Sequence, residues 1–205
     1  MTTYAVTGAT GHFGRLAIES MLEAGVAPAD VIAIARTPAK LGDLVARGID
    51  VRAADYAQPE TLPGALAGVE RLLLVSGSEV GQRVAQHGNV IDAAKAAGVT
   101  RIVYTSFLRA DTNQNALAPE HKATELLLAA SGLEHIALRN GWYIENYIDQ
   151  LSQYLAQGEI VNVGGTARSP EPPGPTTRRQ PRSSSPTTAT TTATPSTSSA
   201  APRSP

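Results

Sequence analysis

The chain of 205 residues contains no cysteine, so disulfide scaffolds, thiolate catalysis and cysteine-ligated metals are excluded. No apolar run approaches the length that spans a bilayer, and no membrane insertion is expected. The first residues lack a basic region and enter an apolar run at once, unlike a signal peptide, so a cytoplasmic location is the expectation. A net charge of −1 gives no cationic excess to attract nucleic acid. His12, His87 and His135 have no ligand-like spacing, and no metal site is expected.

One absence is local. Residues 166–205 hold no Val, Ile, Leu, Met, Phe, Tyr or Trp, but nine of the 14 prolines. They carry five arginines against one acid, Glu171, a net +4, which leaves residues 1–165 at −5. A segment without large apolar side chains cannot offset its own ordering entropy. The expectation is a folded unit over residues 1–163 and a disordered Pro/Ser/Thr/Arg-rich tail over 164–205.

What is present begins at once. Tyr4 to Val6 is a short apolar run, followed by Gly8, Gly11 and Gly14 and then an amphipathic stretch with Phe13, Leu16, Ala17, Met21 and Leu22 at helical spacing. Strand, glycine turn and helix in this order suit a dinucleotide pyrophosphate. Glycines let the backbone approach the phosphates, and the helix aims unpaired N–H groups at the charge. The segment Gly8, Ala9, Thr10, Gly11, His12, Phe13 and Gly14 is the candidate phosphate cradle.

Further apolar runs follow at Val31–Ala35, Ile49–Ala53, Arg71–Val75, Arg101–Tyr104 and His135–Leu138. Helical patterns separate them: about Pro38–Arg47, a brief one at Leu62–Leu66 broken around Pro63, Gly81–Ala97 with Val84, Val90, Ile91 and Ala94 inward, Glu120–Ala130, and a last helix to about Ala156. This alternation predicts an α/β fold, a doubly wound parallel sheet of the Rossmann type. Ligands of such sheets bind at the carboxyl ends of the strands. Polar residues sit at those ends: Arg36, Asp55, Ser76, Gly77, Ser78, Thr105, Ser106, Asn140, Gly141, Trp142 and Tyr143.

Arg36 is the most informative of these. An acid after the second strand usually takes a ribose 2′-hydroxyl; a cation there suits a 2′-phosphate, which favours NADPH over NADH. Asp55 can accept from an adenine amino group or simply form a turn. Ser76–Ser78 would lie along the nicotinamide ribose. Trp142 and Tyr143 can wall a planar pocket. No tyrosine has a lysine four residues on, so the usual tyrosine–lysine proton donor is missing. In its place stand His121 and Glu125, at i and i+4 on one helical face, either an oriented imidazole or a surface pair. His121, Glu125 and Tyr143 are the candidate catalytic groups.

The strings TGATGHFG (Thr7–Gly14), LLLVSGSEVGQR (Leu72–Arg83), NVIDAAKAAGV (Asn89–Val99), YTS (Tyr104–Ser106), EHKATE (Glu120–Glu125) and LRNGWYIENY (Leu138–Tyr147) resemble the NmrA-like branch of the atypical short-chain dehydrogenases/reductases. Within it they are most like the type 2 NAD(P)H:quinone oxidoreductases. The resemblance covers residues 1 to about 163. It implies NADPH on Gly8–Gly14, Arg36, Ser76–Ser78 and Asn140–Tyr143, and hydride transfer to a quinone stacked near the nicotinamide. It leaves open a homodimer, and also an NADP(H)-sensing regulator without turnover. The family continues with an ATRADYA-like segment and a C-terminal substrate lobe, where this chain has its tail. A frameshift would explain the difference. Reading each codon from the third base of the one before, Glu171–Arg178 can encode GATRADYA, Arg182–Pro186 a VVL-containing run and Pro195–Ala201 VYELGG.

Overall fold

A computed structural model describes residues 2–148 and 150–157. Six strands form one sheet: β1 (Tyr4–Val6), β2 (Val31–Ala35), β3 (Asp50–Ala53), β4 (Arg71–Leu74), β5 (Arg101–Phe107) and β6 (Glu134–Asn140). Their order is β3-β2-β1-β4-β5-β6 and every pairing is parallel. This is the doubly wound order, with its switch point between β1 and β4. The helices are α1 (His12–Glu23), α2 (Gly42–Ala46), α3 (Leu62–Leu66), α4 (Arg83–Ala96), α5 (Ala118–Ser131), α6 (Glu145–Ile148) and α7 (Leu151–Gln157).

The sequence of β2 shows why the sheet is central. All five residues of VIAIA are buried, and they divide by parity between two cores. Val31, Ala33 and Ala35 join Val6, Ile18 of α1, and Leu41 and Leu44 at α2. Ile32 and Ile34 join Ala5, Leu72, Leu74 and Ile102, packed with Leu62 and Leu66 of α3, Val90 and Ile91 of α4, and Leu128 of α5. Thus α1 and α2 cover one face and α3, α4 and α5 the other. Each fully buried Leu or Ile contributes roughly 1.5–3 kcal/mol.

Several expectations need correction. Ile18, not Leu16, anchors α1; Leu16 is exposed. Pro63 does not break α3 but sits in its first turn, where its missing N–H has no partner to lose. Val84 is only half-buried, and the inward stripe of α4 is Arg83, Gln86, His87, Val90, Ile91 and Ala94. Thr105, Ser106 and Asn140 lie within strands rather than beyond them. The single last helix is two short ones, α6 and α7. The proposed tail lies outside the described residues.

Candidate active site: a cleft at the carboxyl ends of β1 to β4

The site is built around the turn after β1. Gly8 takes φ +61°, a left-handed conformation that favours glycine, with Val75 against it. The Gly11 N–H donates to the Gly8 carbonyl at 2.9 Å, closing the turn. Gly11 then starts α1 in an extended conformation, and no side chain caps the helix. The first-turn amides of α1 therefore remain available to an anion. Gly14 is buried against the turn's own backbone, so the helix seats directly on Gly8 and Ala9.

Beside this turn lies a cleft of about 230 Å³. Gly8, Thr10 and Gly11 form one wall, Ala35 and Arg36 the second, Ala54, Asp55 and Tyr56 the third, and Ser76 to Glu79 the fourth. Arg36 stands at the mouth, largely exposed, with Nη1 donating to Glu79 Oε1 at 3.0 Å. Gln86 donates to the other Glu79 oxygen at 2.8 Å. Asp55 accepts the Ala57 N–H at 2.9 Å, the turn-forming alternative, while still lining the cleft. The Tyr56 hydroxyl bonds to Thr7 Oγ1 and lies 2.9 Å from the Val75 carbonyl oxygen, tying β3's end to the switch point. Desolvation there raises the Tyr56 phenol well above its ordinary pKa, so it stays protonated.

Buried groups fasten the fourth wall from behind. The Ser76 N–H donates to Thr105 Oγ1 at 2.8 Å. The Gly77 N–H donates to His87 Nε2 at 3.0 Å, so that nitrogen carries no proton. His87 Nδ1 then donates to Thr124 Oγ1 at 3.0 Å, and Thr124 donates to the Glu120 carbonyl at 2.9 Å. Arg83 Nε donates to the Gly77 carbonyl at 2.9 Å, and its Nη1 pairs with Glu120. Burial, then the nearby Arg83 and His121 charges, push the His87 pKa down to about 3, consistent with a neutral ring. Sequence reasoning missed His87 and Arg83 as supports of the cleft. Their signal was spacing: 83, 87, 90, 91 and 94 continue one helical face.

Thr105 therefore holds the loop instead of facing the cleft. Thr105→Val keeps the shape and leaves the Ser76 N–H unpaired. A loss of about 1–3 kcal/mol is expected, measured by denaturant unfolding.

The candidate catalytic groups go elsewhere. His121 and Glu125 do not pair. His121 Nδ1 is hydrogen-bonded to the buried Tyr104 hydroxyl at 2.7 Å, with its ring stacked on Phe107. Burial, then Arg83, lower its pKa to about 4. Glu125 takes Ser106 Oγ at 2.6 Å and a two-pronged contact from Arg139, at 3.0 and 2.7 Å. That Arg139 contact, foremost, and Ser106 hold the Glu125 carboxyl below its ordinary value. Ser106 is thus committed to Glu125.

Tyr143 stacks on Phe13 with ring centroids 6.0 Å apart and accepts from Asn140 Nδ2 at 2.8 Å. It lies beside the start of α1. Trp142 is about half exposed. His12 is exposed, and Ala9 is buried with its N–H given to the Ile34 carbonyl at 3.1 Å. Gly8, Thr10, Gly11, Arg36, Asp55, Ser76, Gly77 and Ser78 converge on the cleft; Thr105, Ser106, Asn140, Gly141, Trp142 and Tyr143 do not line it.

A doubly wound sheet with an uncapped glycine turn at its switch point is a dinucleotide-binding architecture. The family model described as NAD(P)H-binding matches residues 8–169, and the chain belongs to that family, in its NmrA-like branch. Quinone oxidoreductase 2 of Escherichia coli K12 is 51% identical over 164 residues, which is 80% of this chain and 57% of that protein. An NmrA-like oxidoreductase of Aspergillus flavus is 35% identical over 151 residues, 70% of this chain and 49% of that one.

Among solved structures, an NADPH-dependent quinone oxidoreductase of Escherichia coli complexed with NADPH superposes with a TM-score of 0.71 at 53% identity, covering 76% of this chain and 55% of that chain. A Citrobacter sp. triphenylmethane reductase complexed with NADP(H) gives 0.70 at 37% identity, with the same coverage. The chain thus spans about half the length of the curated relatives it matches.

Proposed function

We propose that the cleft binds NADPH and that the enzyme built on this domain passes hydride from it to a quinone. The observation that carries the reading is Arg36 at the cleft mouth, across from the uncapped first turn of α1. The turn's amides would take the pyrophosphate and Arg36 the 2′-phosphate. Gly8, Thr10 and Gly11 let the phosphates approach; Asp55 borders the adenine end, and Ser76 to Ser78 the riboses. The residues fit the group: the amides are uncapped, and among the described residues that line the cleft Arg36 is the cation, held by an exposed pair with Glu79. Such pairs contribute about 0–1 kcal/mol, so a doubly charged phosphate displaces Glu79 at little cost.

Bound NADPH supplies the hydride. The quinone takes that hydride and one proton and leaves as hydroquinone. No described acid in the cleft matches the usual tyrosine–lysine donor, and His121 and Glu125 are held in other bonds. Solvent would supply the proton in this reading. The same observation supports the second reading, an NADP(H)-sensing regulator without turnover. Residues 1–163 form the nucleotide domain in this proposal, in a cytoplasmic protein, and the tail over 164–205 is a frameshift product.

Arg36→Gln is expected to weaken NADPH about tenfold or more and leave NADH within about twofold, read by fluorescence titration. Equal losses for both nucleotides would contradict the role. Turnover of NADPH with a benzoquinone, measured on the chain with its reading frame restored, separates the enzyme from the sensor. Tight binding without quinone-dependent oxidation would favour the sensor.

A further inference from the structure

The ion pair at the cleft mouth joins two separate walls. Arg36 follows β2, and Glu79 belongs to the loop after β4, 43 residues on. Half of the Glu79 side chain is exposed, yet it is not a loose surface acid. Its backbone carbonyl accepts the Gln82 N–H at 3.3 Å, closing a turn. Its Oε2 accepts from Gln86 Nε2 at 2.8 Å, and Gln86 is a buried residue of α4. Its Oε1 is left to face Arg36 Nη1 at 3.0 Å. Glu79 and Gln86 both line the cleft. One buried amide thus holds a carboxylate beside the guanidinium at the mouth.

This placement inverts the usual one. In a doubly wound sheet that takes an unphosphorylated ribose, the acid stands after the second strand. Here a cation stands there, and an acid comes to it from the loop after the fourth. A ligand group that reaches Arg36 Nη1 therefore meets the Glu79 carboxylate within about one further hydrogen-bond length.

The two groups that a dinucleotide can present fare differently at such a pair. A ribose 2′-hydroxyl both accepts and donates, so it can accept the Arg36 N–H and donate its O–H to Glu79. A 2′-phosphate at neutral pH carries a charge of about −1.5 to −2 and offers acceptor oxygens. It gains from Arg36 but has little to donate to Glu79, which repels it and competes for the same guanidinium.

We propose that Glu79, held by Gln86, is a second specificity residue of the cleft: it accepts the ribose 2′-hydroxyl of NADH, opposes the 2′-phosphate of NADPH, and so narrows the preference that Arg36 creates. The inference rests on the reading of the cleft as a nucleotide site with Arg36 at the 2′ position.

The test is titration of the 205-residue chain, Glu79→Gln and Glu79→Ala with NADPH and with NADH, read by fluorescence at one salt concentration. Glu79→Gln keeps an oxygen for Gln86 and gains an N–H that a phosphate can accept. NADPH is expected to tighten about two- to fivefold, the range in which an exposed pair of this kind competes, and NADH to stay within about twofold. Glu79→Ala removes the acceptor as well. NADPH is again expected to tighten about two- to fivefold, while NADH weakens by about the same factor. Opposite shifts for the two nucleotides in one variant do not follow from a loosened loop, which weakens both.

Thermal unfolding shows whether each variant is folded. Should Glu79→Ala unfold, because it leaves Gln86 Nε2 unpaired, the NADPH result of Glu79→Gln decides. Unchanged or weaker NADPH binding by Glu79→Gln would overturn the proposal, as would undiminished NADH binding by a folded Glu79→Ala. Arg36→Gln in the same titrations separates this failure from that of the underlying reading. Selective loss of NADPH by Arg36→Gln, with no gain in either Glu79 variant, would leave the nucleotide site standing and sink the role of Glu79 alone. Equal losses of both nucleotides by Arg36→Gln, or no binding by the parent chain, would remove the reading and this inference with it.

Discussion

Gly14→Ala is expected to abolish nucleotide binding and to lower stability more than any other single methyl added to the turn. A Cβ there would lie 2.8 Å from the Gly8 carbonyl carbon and 3.1 Å from Ala9 Cα, and closer still to the Gly8 oxygen. These are backbone atoms, so no rotamer change relieves the contact. Gly8 cannot retreat either, because Val75 lies behind it and the Gly11 N–H holds its carbonyl. The start of α1 must lift, which moves the amides that would receive the phosphate. Overpacking of this kind costs roughly 1–3 kcal/mol, against a total stability of about 5–15 kcal/mol.

The variant is therefore expected to fold and not to bind. Gly11→Ala is the comparison, with its Cβ 3.3 Å from the Gly8 oxygen and otherwise open space. It is expected to keep most of the stability. Thermal unfolding and NADPH titration of the two variants check the contrast; unaltered binding by Gly14→Ala would contradict it.

Acid is expected to destabilise the domain well above the range in which carboxylates protonate. Neutral His87 accepts the Gly77 N–H, and its folded pKa is about 3 against an ordinary value of 6.5. His121 is lowered to about 4. A depressed histidine pKa means that the unfolded chain binds the proton more readily. The stability is complete above pH 6.5 and drains away as pH falls, until the folded pKa is reached. Each group contributes up to about 1.4 kcal/mol per pH unit in that window. Two such groups remove several kcal/mol between about pH 6.5 and 4.5, a large part of the total for a small domain.

Protonation at His87 Nε2 would also set one N–H against another and release the Gly77 wall of the cleft. Urea unfolding at about pH 7, 5.5 and 4.5 measures the loss. His87→Gln, which cannot titrate, is expected to be less stable at neutral pH but to show a flatter profile. A wild-type profile that is flat across this range would contradict the assignment.

These two predictions also show what the chain makes legible. Gly14 stands in a motif whose spacing announces a turn, and VIAIA announces a strand buried on both sides. Alternation of such runs with helical stretches was enough for the sheet and its winding. His87 was visible only as a histidine without a metal partner. Its role depends on α4 facing the loop after β4, and hydropathy passes over polar side chains in an inward stripe. The meeting of Glu125 with Arg139, 14 residues apart, depends on the register of α5 over β6. Local i, i+4 spacing favoured His121 instead, and the buried Tyr104 hydroxyl outcompeted Glu125 for it. Arg36 was legible in position, but not its tether to Glu79, 43 residues on.

The bare face of β5 and β6 is the other part that local patterns could not show. Ile136 and Leu138 read as an ordinary buried strand, and only the topology reveals that one side of it has no cover among the described residues.

The central claim is that the cleft beside Gly8–Gly14 selects a 2′-phosphorylated dinucleotide through Arg36. Titration of the 205-residue chain with NADPH and with NADH, by calorimetry at one salt concentration, tests it most directly. The account predicts saturable one-site binding of NADPH, tighter than NADH by on the order of tenfold or more. Equal affinity for the two nucleotides, or no binding of NADPH to a chain shown to be folded, would contradict it.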